Sequence, residues 1–121
     1  MTTNPIQAFY DAAARADMPA ILDEVSEDIL IEEPAFLPHG GTYRGKAGLQ
    51  RMLAEASEMA DFTSLRIERL LVDGHGGFAV LRLRHRKTGN DILVAEETHL
   101  ASGKIAKLRI YIHDAGSALG P

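Results

Sequence analysis

The 121-residue sequence contains no cysteine. This absence excludes a disulfide framework, a thiolate zinc site and a cysteine nucleophile. The first residues, Met1 to Pro5, also lack the basic start and the apolar run of a secretory signal. No uncharged apolar stretch approaches the roughly 20 residues needed to cross a bilayer. We therefore expect a cytoplasmic protein with no membrane partner.

Positive charge is also scarce, since 13 lysines and arginines face 17 acidic residues and give a net charge of −4. An acidic chain lacks the basic footprint of a nucleic-acid-binding protein. A local exception is the alternating series Arg82, Arg84 and Arg86, which lacks interleaved aromatic residues. We interpret it as a solvated or dimer-facing outer sheet surface, balanced across strands by acids such as Glu68 and Glu97. No HExxH or similarly compact ligand spacing occurs, so we predict no metal site.

The apolar residues follow first a helical period and then a strand period. Helical spacing predicts three helices, at residues 4–16, in a short segment after the candidate N-cap Asp17, and at residues 46–60. Alternation predicts a first strand at residues 28–33, which Pro34 stops. Turn residues and further alternation predict a loop or short hairpin at 34–45, strands at 63–72, 78–87, 92–101 and 104–113, and a frayed tail at 115–121.

The order of these segments indicates a single α+β domain over residues 1–121. Tight turns join the last four strands, so these neighbours must be antiparallel. The helices must cover one face of the sheet, because their apolar stripes need a partner. A chain of this length can bury a core without disulfides or metals.

This order, with Ile31-Glu32-Glu33-Pro34 leading into Tyr43-Arg44-Gly45, resembles the nuclear transport factor 2-like superfamily over roughly residues 4–114. Within it, the chain looks most like the SnoaL-like and ketosteroid-isomerase-like branch. The resemblance implies a cone-shaped, curved antiparallel (mixed) sheet wrapped around three N-terminal helices, with a pocket between them. It also implies a homodimer formed through the outer sheet face. The fold alone does not decide the function, because it hosts isomerases, dehydratases, cyclases and non-catalytic modules.

Glu33 is the first candidate for catalysis. It shares a strand face with Ile29 and Ile31, so it should point toward the core. The resemblance places the general base of the isomerases immediately before the proline that ends this strand, which is the position of Glu33. An apolar cleft would favour such a role by raising the pKa of the carboxyl group. The alternative is a partly solvated acid that caps a loop amide.

Glu96 is the second candidate. It lies in an otherwise apolar row with Val94 and Leu100, where an acid is costly unless it is paired or neutral. The resemblance places there the protonated acid that hydrogen-bonds a developing oxyanion, and ketosteroid isomerase is itself a known case of a carboxylic acid held neutral by an apolar site. The alternative is a structural acid in a wet cavity.

Further candidates lie on the first helix, in the loop after Glu33 and on a later strand. His85 shares its face with apolar residues and is either a second acid–base group or a satisfied core histidine. Phe9 aligns with the family's oxyanion-hole tyrosine, whereas Tyr10 is rotated by about 100° around the helix. Phe36, His39 and Tyr43, in the loop after Glu33, either line the pocket mouth or belong to a plain surface loop. Catalytic candidates are thus Glu33, Glu96 and His85, and substrate-binding candidates are Phe9, Tyr10, Phe36, His39, Tyr43 and Ile112.

Three functions remain open at this point. The first is an isomerase, dehydratase or cyclase that acts on a small apolar carbonyl compound without a cofactor. Glu33 would abstract a proton beside the carbonyl, and Glu96 would hydrogen-bond the enolate oxygen. The second is a binding protein in which the acids only orient an apolar ligand. The third is a dimeric accessory module, which predicts a cavity filled by side chains.

Overall fold

The computed structural model describes residues 4–119. Its elements follow the predicted order, with one addition at the carboxyl end. The elements are α1 (Pro5–Ala14), α2 (Met18–Asp23), β1 (Val25–Glu33), β2 (Gly41–Arg44), α3 (Gly45–Met59), β3 (Ala60–Val72), β4 (Gly76–His85), β5 (Asp91–Ala101), β6 (Lys104–Ile112) and α4 (Ala115–Leu119).

The six strands form one curved, unclosed sheet in the order β2-β1-β6-β5-β4-β3. The strands β3 to β6 form the predicted antiparallel meander, and the hairpin of β1 and β2 is also antiparallel. Among residues 4–119, the one parallel pair joins β1 to β6. Parallel pairing is possible here because the whole meander separates these strands along the chain. The mixed α+β fold is therefore confirmed.

Two capping side chains fix where the first helices begin. Asn4 accepts a hydrogen bond from the amide of Ile6 at 2.8 Å. Asp17 accepts one from the amide of Ala20 at 3.2 Å, which confirms its predicted role as an N-cap. These caps satisfy amides that each helix leaves unpaired, so they fix the first residues of α1 and α2.

The predicted frayed tail is wrong for residues 115–119, which form α4. Asp114 starts this helix by accepting a hydrogen bond from the amide of Gly116 at 3.0 Å. Ala118 is buried against the core, and this packing holds α4 in place. The described chain thus has four helices rather than three. Residues 1–3 and 120–121 of the predicted single domain lie outside the described residues.

The core lies between the inner face of the sheet and the helices. Ile29 and Ile31 of β1 are fully buried and pack with Ile6 of α1 and Leu49 of α3. The outer face carries charged side chains, and Glu68 pairs there with Arg82 as predicted. The other predicted acid, Glu97, instead contacts His99 and Arg109. Within residues 4–119, none of the helices has the length and apolar character to cross a membrane.

Candidate functional site

A cavity of about 360 Å³ lies between the inner face of the sheet and the first three helices. Its walls are mostly apolar, as is usual for small-molecule sites of this size. Four titratable side chains of the described residues line it: Tyr10, Glu33, His39 and Glu96. The interior is therefore not filled by side chains, contrary to what the accessory-module hypothesis predicts.

Glu33 and His39 form a buried pair at one side of the cavity. The Nε2 atom of His39 lies 3.3 Å from Oε2 of Glu33, and both residues are 8% exposed. Glu33 is the last residue of β1, and alternation turns its side chain to the inner face. The structure therefore places a carboxylate and an imidazole in contact inside an apolar chamber, an arrangement suited to proton transfer.

A compact loop brings His39 back over Glu33. The amide of Leu37 donates to the carbonyl oxygen of Pro34 at 3.1 Å, and the amide of Gly40 donates to that of Leu37 at 2.9 Å. A Cβ atom on Gly40 would lie 2.2 Å from the Pro34 oxygen, so only glycine fits. These two consecutive turns reverse the chain within the few residues after β1.

Tyr43 supports this loop from behind the cavity. Its buried hydroxyl lies 2.7 Å from the carbonyl oxygen of His39 and 2.5 Å from Oε2 of Glu55, and its proton serves one of these acceptors at a time. The guanidinium of Arg51 lies 5.0 Å from the ring centroid, within cation–π range. Burial, followed by the Glu55 hydrogen bond, raises the pKa of Tyr43 to about 12. The hydroxyl therefore remains a donor at neutral pH.

Glu96 and Tyr10 form the second polar pair of the cavity. The Tyr10 hydroxyl donates to Oε1 of Glu96 at 2.6 Å. Burial, with a smaller contribution from the charge of Glu33, raises the pKa of Glu96 to about 7 even though the Tyr10 hydrogen bond opposes the change. Burial also raises the pKa of Tyr10 well above its ordinary value. Glu96 is thus an acid that gains or loses its proton near neutral pH.

Comparison with known proteins identifies the family. The sequence profile of the SnoaL-like domain matches residues 6–108. The chain belongs to this family. Its membership also confirms the resemblance to the nuclear transport factor 2-like superfamily. No functionally curated protein matches this SnoaL-like chain significantly.

Solved structures support the same fold. A nuclear transport factor 2-like protein from Burkholderia thailandensis E264 is 24% identical, with a TM-score of 0.78 over 99% of this chain and 100% of that one. A second such protein, from Burkholderia xenovorans LB400, is also 24% identical, with a TM-score of 0.76 over 95% and 90%. A Sinorhizobium meliloti protein, named provisionally as a polyketide cyclase, is 20% identical, with a TM-score of 0.72 over 91% and 95%. At these identities the likeness shows the fold alone.

The SnoaL-like cavity gathers most of the residues proposed from the sequence. Phe9 and Tyr10 both line it, although one step along α1 separates them. Their rings meet edge to face at 5.2 Å, because the buried face of this helix is wide enough to include both. Ile112 lines the cavity from the end of β6.

Three proposed residues lie outside the cavity lining. His85 is buried on the inner side of β4, but its Nδ1 atom accepts hydrogen bonds from the amides of Lys87 at 3.1 Å and Thr88 at 3.4 Å. It therefore binds the turn that follows β4, as a satisfied core histidine does. Phe36 is 45% exposed on its loop. Tyr43 contacts the loop of His39 rather than the cavity.

The methionines of the cavity are not among the residues proposed from the sequence. Met18, Met52 and Met59 all line it, from α2 and α3. Their flexible thioether side chains suit a wall that adapts to apolar ligands of different shapes. The sequence pattern could have indicated Met52, because the helical period of α3 places it on the buried face.

Each inward glutamate has a glutamate neighbour on the outer face of the sheet. Glu32 binds Arg109 at 3.0 Å and Lys107 at 3.2 Å, and these hydrogen bonds lower its pKa. Glu97 accepts a hydrogen bond from the Tyr111 hydroxyl at 2.9 Å, which is the main reason that its pKa is lowered. Within residues 4–119, no cluster of three or more histidine or acidic side chains could hold a metal ion.

Proposed function

We propose that this SnoaL-like protein catalyses cofactor-independent proton transfer on a small, apolar carbonyl compound, as an isomerase, lyase or cyclase. The observation that carries the proposal is the presence of two different acid–base pairs in one apolar cavity. One pair is Glu33 with His39, and the other is Glu96 with Tyr10. Because they differ in environment and partner, the two carboxyl groups can take different roles.

In the proposed reaction, Glu33 is the general base. It removes a proton from the carbon beside the carbonyl group and returns it to another position, or holds it while a leaving group departs. His39 contacts the carboxylate of Glu33 and orients it toward the cavity. The hydroxyl of Tyr43, which the His39 carbonyl and Glu55 share, supports the loop that carries His39.

Glu96 is the proposed partner of the carbonyl oxygen. In its protonated form, one oxygen donates to the substrate while the other accepts the hydrogen bond from Tyr10. This hydrogen bond fixes the carboxyl group in place, so little reorganisation is needed as charge develops on the substrate oxygen. A single donor of this kind contributes about 3 kcal/mol to transition-state stabilisation.

The direct test is hydrogen–deuterium exchange of enolisable apolar ketones in heavy water, followed by NMR. We expect the protein to accelerate exchange beside the carbonyl, and Glu33→Gln to lower that rate by at least about a hundredfold. Glu32→Gln is the matched control, since it removes the neighbouring carboxylate on the outer face. A Glu33→Gln protein that keeps the wild-type exchange rate would refute the role of Glu33.

A second candidate function is non-catalytic binding of a small apolar ligand. Phe9 favours it, because the resemblance predicts a tyrosine at this position in the isomerases and phenylalanine donates no hydrogen bond. The methionine-lined wall also suits binding without chemistry. This function predicts a ligand that copurifies unchanged and shows no accelerated exchange.

We also propose a homodimer formed through the outer face of the sheet. Apolar side chains on that face support it: Phe78 is half exposed, and Leu71, its partner across strands β3 and β4, is 55% exposed. Analytical ultracentrifugation of the wild type and of Phe78→Glu tests this, with dissociation expected for the variant. A cytoplasmic location and the absence of nucleic-acid and membrane partners remain predictions.

A further inference from the structure

The charge of the cavity is strongly one-sided. Within the described chain, residues 4–119, no lysine or arginine side chain lines it, whereas Glu33 and Glu96 both do. Three basic side chains on neighbouring elements contact groups outside the cavity lining. Arg109 and Lys107 bind Glu32 on the outer face, and Arg51 stacks on the ring of Tyr43.

His39 does not supply a spare positive charge. Its Nε2 atom is 3.3 Å from the Glu33 carboxylate, so a proton on this nitrogen is already matched by Glu33. The fourth titratable group, Tyr10, is held in its neutral form by burial and by its hydrogen bond to Glu96. The titratable groups that face the cavity therefore offer negative or neutral charge, and no surplus positive charge.

We propose that the cavity selects its ligand by charge: it accepts an uncharged carbonyl compound and rejects the carboxylate of the same shape. The inference names the substrate class for the proposed function and rests on that function only for the position of the carbonyl group beside Glu96. Glu33 and Glu96 are the residues that determine the specificity.

The physical reason is the cost of burying an unpaired anion. A carboxylate that enters the cavity loses the water molecules that hydrate it, and the apolar walls offer no hydrogen bonds to replace them. It also meets like charge from Glu96 when that group is ionised, and the pair of Glu33 with His39 offers it no net positive charge. Juxtaposed like charges suppress binding. An uncharged ketone of the same shape avoids both the loss of ionic hydration and the repulsion. Below about pH 7 it also accepts the hydrogen bond that protonated Glu96 offers, and above that pH it loses only this bond.

The experiment compares two probes that differ in charge but hardly in shape, 2-acetylnaphthalene and 2-naphthoate. Binding to the full chain is measured by NMR chemical-shift titration at about pH 8, where Glu96 is ionised and repels the carboxylate. The ketone is also titrated at about pH 6, where protonated Glu96 can donate to it. We expect the ketone to bind at least about tenfold more tightly than the carboxylate. Equal or tighter binding of the carboxylate would overturn the inference, and so would a ketone that does not bind at all.

Four glutamine variants assign the selection to its residues. Glu96→Gln and Glu33→Gln should each tighten binding of the carboxylate several-fold relative to the ketone, because each removes one negative charge from the cavity. Their outward neighbours provide the controls, so Glu97→Gln and Glu32→Gln should leave the ratio unchanged. Circular dichroism establishes that each variant is folded. An unchanged ratio in both inward variants would also overturn the inference.

These measurements are independent of catalysis. A protein that keeps the ligand order but shows no deuterium exchange would contradict the proposed function and leave the charge selection intact. A protein that exchanges deuterium but binds both probes equally would contradict the charge selection and leave the proposed function intact.

Discussion

Replacing Glu96 with glutamine should stabilise the protein above neutral pH. The substitution keeps the shape of the side chain and the oxygen that accepts the Tyr10 hydrogen bond. It removes a carboxyl group whose pKa burial raises to about 7. Because burial disfavours its charged form, Glu96 costs stability whenever it is ionised in the folded state.

The sign and size follow from proton linkage. The folded protein binds the Glu96 proton up to about pH 7, whereas the unfolded chain releases it near the ordinary value of 4.5. The free energy of unfolding therefore falls as pH rises between these values, by about 1.4 kcal/mol for each pH unit. The loss is complete above about pH 7 and amounts to about 3 kcal/mol. The glutamine variant escapes this loss.

The assay is urea unfolding of the wild type and the Glu96→Gln variant at several values between about pH 4.5 and pH 8. We expect the difference in free energy of unfolding to grow with pH in favour of the variant and to level off above about pH 7. A difference between the two proteins that stays constant with pH would refute the desolvation of Glu96.

The neighbouring glutamate provides a control of opposite sign. Hydrogen bonds from Tyr111 and His99 lower the pKa of Glu97, so its ionised form stabilises the folded state. This stabilisation is present above the ordinary pKa and is lost as pH falls through the lowered one. Glu97→Gln should therefore destabilise the protein at neutral pH, and the penalty should shrink in acid.

Three other substitutions test how the site is supported. Tyr43→Phe removes the hydroxyl that the His39 carbonyl and Glu55 share. We expect the deuterium-exchange rate to fall several-fold and the NMR signals of the His39 ring to shift, whereas unchanged signals would contradict a positioning role. Gly40→Ala places a Cβ atom 2.2 Å from the Pro34 oxygen and should open the loop, measured as faster amide hydrogen exchange at residues 35–40; an unchanged exchange pattern would contradict the packing of this loop. Leu49→Ala should lower the free energy of unfolding by about 2–5 kcal/mol, because Leu49 is fully buried in the core; a loss under about 1 kcal/mol would contradict that burial.

The sequence was sufficient to orient the two glutamates, because their strands are regular where they lie. The β4–β5 register runs without interruption through Glu96, and the β1–β2 register does so through Glu33. Simple alternation holds under these conditions, so it predicted the inward face correctly for both. The same reasoning predicted an inward His85, and the structure buries it.

Alternation predicts which face of the sheet a side chain lies on, but not which groups it contacts on that face. His85 is at the end of β4, where its ring binds turn amides outside the cavity lining. The contact of Tyr10 with Glu96 spans 86 residues, and no local period encodes it. The pairing of Glu33 with His39 depends on two consecutive turns and on the close fit of Gly40. The contact of Tyr10 with Glu96 arises only when the sheet has packed against the helices, whereas the other two depend on the conformation of local turns.

The parallel pairing of β1 with β6 has a consequence for folding. β1 lies between its hairpin partner β2 and the last strand, so Glu32 and Arg109 meet across 77 residues of chain. Closing such a long loop lowers the entropy of the chain before the contacts between its ends can stabilise it. Topologies rich in such contacts therefore fold slowly. Until β6 docks, β1 and β5 both present unpaired edges, which other chains can recruit. We therefore expect the last strand to limit the folding rate, and removal of β6 to cause aggregation rather than a smaller stable domain.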